Sequence, residues 1–167
     1  MHCPKSIANY FIDIANASGE QLSPMKLQKL VYYAVGWFAG HTGKPLVDEA
    51  VEAWQYGPVF PSLYHEFKRF GSGAITEKAF EFADGCNRRE VATPGDPHVR
   101  QFLDNVWSSY GKYTGIALSE MAHAADSPWD RTWRAANGVR NADIPFDIIS
   151  GYFKQAADKA RARSAVA

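Results

Sequence analysis

The sequence predicts a mainly α protein: a single compact helical domain of about six helices with a small β element, spanning residues 1–167. Three observations predict it. Apolar residues recur at helical spacing along most of the chain, and a capping residue followed by proline appears at Ser23-Pro24, Asp96-Pro97 and Ser127-Pro128. Alternation of the strand kind is confined to short runs such as "VEAWQY" and "KAFEFA". No internal repeat, low-complexity stretch or domain-sized linker interrupts the pattern, and 167 residues suit one domain.

The elements follow in order. Ile7, Phe11 and Ile14 define a first amphipathic helix, with Lys5, Asn9, Asp13 and Asn16 on the opposite face and Gly19 free to take the left-handed turn that ends it. Ser23 can accept the free N–H groups of the next turn, and Pro24 at the first helical position loses nothing by lacking an N–H. That second helix carries Leu27, Leu30, Val31, Ala34 and Phe38, yet Tyr32, Tyr33, Val35 and Trp37 fill its other sides. A helix apolar all round belongs at the centre of a fold.

"VEAWQY" then alternates as a strand, and Gly57-Pro58 forbids simple continuation. Pro61 opens a helix with Leu63, Phe67 and Phe70 inward, Ser62, His65, Glu66 and Arg69 outward, and Gly71 as its stop. Between Ser72 and Pro94 the spacing predicts a small hairpin, with "KAFEFA" as one strand, "DGCNRRE" as the turn and "EVAT" pairing back. Asp96-Pro97 starts a helix bearing Val99, Phe102, Leu103, Val106 and Tyr110, ended by Gly111. Leu118, Met121, Ala122 and Ala125 mark the next; Ser127-Pro128 caps a short one holding Trp129 and Trp133, closed near Asn137-Gly138. Phe146, Ile149, Phe153 and Ala157 make the last helix.

Composition excludes several function classes. Lys plus Arg and Asp plus Glu both total 18, so no global positive field exists to hold a nucleic-acid backbone, and nucleic acid is not expected as the main partner. The basic residues Lys154, Lys159, Arg161 and Arg163 sit where cations oppose the negative end of a helix dipole, which accounts for them without nucleic acid. Cys3 and Cys86 lack zinc-ligand spacing and are read as free thiols in a reducing cytosol. The N-terminus lacks the apolar run of a signal peptide, and the longest uncharged apolar stretch, "LVYYAVGWFAG", falls short of the ~18 residues of a membrane span. A cytoplasmic protein with no membrane partner is expected.

The search for catalytic chemistry is mostly negative. "HEF" at His65 is half of an HExxH zinc motif, but Arg69 stands where the second ligand belongs, so His65 and Glu66 are read as solvated surface. His123 with Asp126 or Asp130 is a candidate proton-transfer pair, weighed against a capping or packing role because no nucleophile motif stands beside it. "FGSGAI" has neither P-loop nor dinucleotide spacing and is read as a helix stop. No catalytic, cofactor or metal residue is assigned. What remains is aromatic weight: 5 Trp, 8 Tyr and 10 Phe exceed the needs of a small helical core, and Trp and Tyr dominate the energetic centres of protein interfaces.

Three segments together carry a resemblance: "LSPMKLQKLVYYAVGWFAGHTGKPLVDEAVEAWQYGPVFPSLYHEFKRFG", "LSEMAHAADSPWDRTW" and "IPFDIISGYF". They resemble the SocA-like, or Panacea, antitoxin domain family, also labelled phage-associated GepA-like, from about Ser6 to Phe153. The resemblance implies a non-enzymatic cytoplasmic antitoxin of bacteria and prophages, in a setting of phage defence. Its partner is then a co-encoded protein toxin, neutralised by direct binding. One branch of the family instead delivers its toxin to the ClpXP protease, which stands here as the alternative, ahead of an enzyme using His123. A homo-oligomer is left open. Within "EAWQYGPVFPSLYHEF", Trp54, Tyr56 and Tyr64, framed by Gly57, Pro58 and Pro61, are expected to border the partner surface, with Trp54 and Tyr56 pointing to one face of a strand.

Overall fold

The computed structural model describes residues 1–83 and 87–166. In chain order these form α1 (Pro4–Ala17), α2 (Pro24–Thr42), β1 (Val51–Trp54), β2 (Gly57–Val59), α3 (Pro61–Phe67), a 3-10 turn (Lys68–Phe70), β3 (Phe80–Ala83), β4 (Asn87–Glu90), α4 (Pro97–Tyr110), α5 (Gly115–Ala122), α6 (Pro128–Ala135), β5 (Ala142–Ile144) and α7 (Phe146–Val166). The protein is mostly helical with small sheets, and the described residues hold seven α-helices against about six expected.

Helix α2 sits at the centre, as its all-round apolar surface requires. Leu27, Leu30, Val31, Tyr32 and Ala34 are buried, and α1, α3, α4, α5 and α7 all pack on it. The three cap-then-proline signals work as expected: the side chains of Ser23, Asp96 and Ser127 accept from the backbone N–H groups of Lys26, His98 and Asp130. Thr114 caps α5 in the same way, accepting from Ala117 N. At the far end of α2, the Phe153 ring lies over Gly36, and a Cβ on Gly40 would stand 2.7 Å from the Phe153 carbonyl carbon. These two glycines let α7 approach so closely.

Five expectations need correction. Asn9, placed on the polar face of α1, is fully buried: its amide donates to Ala79 O and Val91 O, and its Oδ1 accepts from Ala79 N. It anchors the base of the β3–β4 hairpin, a task the local spacing of α1 does not reveal. In that hairpin Asn87–Glu90 is itself the second strand, pairing Phe80 with Glu90 and Ala83 with Asn87, and "EVAT" begins where the ladder ends. Residues 84–86, and with them Cys86, lie outside the described residues. Glu66 is not simply solvated: it pairs with Lys5 at 2.5 Å and accepts from Phe80 N, joining α3 to α1 and β3. Met121 and Ala125 are exposed: Met121 lies on the outer face of α5, and Ala125 follows the end of that helix at Ala122.

The fifth correction concerns "VEAWQY". Strand β1 ends at Trp54, Gln55 and Tyr56 form a two-residue turn, and the chain reverses into β2, with Trp54 opposite Gly57 and Glu52 opposite Val59. Trp54 and Tyr56 are therefore not a same-face strand pair. Gly57 has φ 102°, a value that only glycine adopts without strain, and the fold turns two residues before the Gly-Pro step rather than at it. Sheet order is β2-β1-β5, so Pro58 lies on an edge strand, where its missing N–H breaks no ladder. The third strand, β5, is three residues long and offers no alternation to read.

Candidate functional site

The β1–β2 hairpin is held from below by side chains of three helices. Trp129 Nε1 of α6 donates to Trp54 O at 2.7 Å, and Ser119 Oγ of α5 donates to Tyr56 O at 2.9 Å. From α2, Lys29 Nζ donates to Pro58 O at 3.0 Å, while Gln28 gives its amide to Phe60 O and takes Phe60 N–H, both at 3.0 Å. His123 Nε2 lies 3.4 Å from Gln55 O. Backbone carbonyls along the hairpin and its flanks thus find side-chain partners, each bond worth about 1 kcal/mol net and more where a buried donor would otherwise go unpaired. A short edge hairpin that would be marginal alone becomes a fixed platform.

Beside this platform runs a groove of about 500 Å³. Trp54, Gln55, Tyr56 and Val59 form one wall, Leu63, Tyr64 and Lys68 of the following helical segment another, and Pro24, Met25, Gln28 and Lys29 of α2 the rest. The Trp54 and Tyr64 rings meet at 4.8 Å, and Trp54 Nε1 donates to Glu52 Oε2 at 2.6 Å, which fixes the indole. Tyr56 is 66% exposed and Tyr64 42%. Of the residues expected at a partner surface, Trp54, Tyr56 and Tyr64 come together in this lining. Gly57 and Pro58 are the backbone lying over Lys29, and Pro61 opens the helix that carries Tyr64.

Lys29 is the residue that sequence spacing misses. It is 2% exposed, and a Cβ at Gly57 would stand 2.7 Å from its Nζ, so glycine there serves both the backbone angle and the lysine beneath. Burial pushes the Lys29 ammonium down to about 7. The unfolded chain keeps the proton up to the ordinary value of 10.5, so between the two values unfolding takes up a proton and raising the pH favours the fold. The stability of wild type relative to Lys29→Met is therefore expected to rise by about 3 kcal/mol between about pH 6 and about pH 9, read by chemical denaturation. A pH-independent difference would show that the buried amine holds its proton throughout.

The proposed proton-transfer pair does not assemble. His123 Nδ1 lies 2.5 Å from Ser119 O and its ring packs on Trp129 at 4.0 Å, so it caps α5 and faces carbonyls, not carboxylates. Asp126 and Asp130 both pair with Arg134 instead. Among the described residues no group of three His, Cys, Asp or Glu could hold a metal ion, and no helix is long and apolar enough to cross a membrane.

The family model for "Antitoxin SocA-like, Panacea domain" matches residues 27–130. That span contains Gln28, Lys29, Ser119, His123 and Trp129, the residues beneath the hairpin. The chain is also 33% identical over 128 residues to Antitoxin SocA of Caulobacter vibrioides, covering 75% of this chain and 68% of that protein. No solved structure matches it. The chain belongs to the SocA-like, Panacea-domain antitoxin family.

Proposed function

We propose that this protein is a cytoplasmic, single-domain antitoxin that neutralises a co-encoded protein toxin by direct binding in the groove beside the β1–β2 hairpin, with no catalytic step of its own. The observation that carries this reading is the pairing of exposed aromatics, Tyr56 and Tyr64, with a hairpin whose carbonyls are anchored from three helices. Rigid aromatic anchors lose little entropy on binding, and an interface of ordinary size, about 1,200–2,000 Å² in total, then suffices for a stable complex. Membership of an antitoxin family supports a toxin as the partner, and the exposed aromatics beside the anchored hairpin support the groove as its site.

Co-expression with the product of the adjoining reading frame tests it. Growth is expected to return, with the toxin intact and co-purifying on a tag. Loss of the toxin only in cells that have ClpXP would favour delivery to that protease, and failure of every adjacent product to bind, with no rescue, overturns the reading. His123→Gln is expected to keep full protection, because the imidazole contributes a local contact of about 1 kcal/mol at most and meets no carboxylate. A His123→Gln protein that folds and binds normally yet fails to protect would instead reveal a chemical step.

A further inference from the structure

Lys29 stands apart from other lysines of this protein. Lys5, Lys26 and Lys78, all less buried, each pair with a carboxylate: Glu66, Glu20, and Asp13 with Glu90. Lys29 is nearly sealed from solvent, and among the described residues its one hydrogen-bond acceptor is Pro58 O. An ammonium carries three N–H groups, of which Pro58 O takes one, and a buried charge without a counter-charge is costly. Gln28, one residue earlier, anchors Phe60 with a neutral amide, so holding this hairpin does not in itself require a charge.

The Lys29 side chain also runs along the groove. Lys29 and Lys68 both line it, and its lining includes no Asp or Glu. Glu52, the acid of the hairpin, accepts from the Trp54 indole. The groove therefore offers apolar walls with positive charge and nothing negative to answer it.

We propose that the toxin inserts an Asp or Glu side chain into this groove and draws the flexible Lys29 side chain out from under the hairpin, so that its carboxylate meets the ammonium beside an apolar neighbour packed on Trp54 and Tyr64. The inference rests on the groove being the toxin-binding site and adds the chemistry of its central contact. Lys29 is then the specificity element: a partner without an acid at that position leaves the amine under the hairpin with no counter-charge, while one with it gains a charge-assisted bond in a water-poor setting.

A double-mutant cycle with the co-encoded toxin tests this. Each Asp and Glu of the toxin is changed to its amide and its affinity measured against wild type and Lys29→Met. Methionine keeps the unbranched stem, one atom shorter, without the charge. One toxin substitution is expected to weaken binding to wild type about 30-fold or more, yet to change binding to Lys29→Met by less than about threefold. This coupling separates a partner contact from a purely internal role of Lys29, which would weaken binding without singling out any toxin residue. If Lys29→Met binds as tightly as wild type, or no toxin carboxylate is coupled to it, the inference is overturned. Tyr64→Ala separates that failure from failure of the groove. Loss of affinity in Tyr64→Ala without Lys29 coupling keeps the groove and removes the carboxylate, whereas wild-type affinity in Tyr64→Ala and in Trp54→Ala overturns both.

Discussion

Phe153→Ala is expected to lower stability by about 3–5 kcal/mol, at the upper end of what a single truncation does. The ring is 3% exposed and touches Tyr32, Tyr33, Trp37 and Tyr152, all in edge-to-face geometry. Its floor is Gly36, which has no side chain that could move into the vacated space. Collapse is the usual relief for such a cavity, and here the glycine prevents it. Phe153 packs on α2 between Tyr32 and Gly40, whereas the groove takes the Pro24–Lys29 part of that helix. The folded fraction of Phe153→Ala should therefore bind toxin with wild-type affinity. Denaturant unfolding supplies the first number and titration at low temperature the second; a stability loss below about 1 kcal/mol would mean that α7 does not depend on this contact.

The second large effect falls on binding. Trp54→Ala and Tyr64→Ala are each expected to weaken toxin binding by about 2 kcal/mol or more, roughly 30-fold, while lowering stability by less than about 2 kcal/mol. Truncating Trp54 removes the indole and its bond to Glu52 but leaves the Trp54 carbonyl, which is the atom that Trp129 holds. The platform thus survives the loss of the side chain. Tyr64 is 42% exposed on α3, and Leu63 and Phe67 on the same helix keep it docked without the phenol. Thermal melts and affinity measurements on both variants separate stability from recognition. Wild-type affinity in both would remove these aromatics from the interface.

Local signals in the chain were legible wherever the controlling interaction was local. Ser23, Asp96 and Ser127 cap helices with bonds to residues two or three positions on, and the proline after each marks the same boundary. The central place of α2 follows from apolar residues on all its sides. Polar residues serving distant backbone were not legible. Lys29, Gln28, Ser119 and Asn9 reach partners 29, 32, 63 and 70 or more residues away, and only their polarity on largely apolar helices hints at a task.

The candidate site was half legible for the same reason. Composition and the "EAWQYGPVFPSLYHEF" stretch point to Trp54, Tyr56 and Tyr64, because aromatics around a glycine-proline step and a second proline stand out in any sequence. Their geometry was misread, since an alternating pattern does not show that Gln55 and Tyr56 leave the strand as a turn. The α2 wall of the groove, and Lys29 within it, belongs to the same family-like segment as the hairpin, but Lys29 lies 29 residues from Pro58 and meets it only in the folded chain. Helices α5 and α6 come from the second family-like segment and α2 from the first, and all three meet at the hairpin carbonyls.

Hydrogen exchange of the free and toxin-bound protein measures the central claim most directly, because it reports the contact surface without altering a residue. Amides of the β1–β2 hairpin, of the first turns of α2 and of α3 are expected to gain protection in the complex, while those of the β3–β4 hairpin and of the exposed end of α7 remain as in the free protein. Protection confined to the β3–β4 hairpin or to α7, with the hairpin at Trp54–Val59 exchanging as before, would contradict the account and place the toxin elsewhere on the fold.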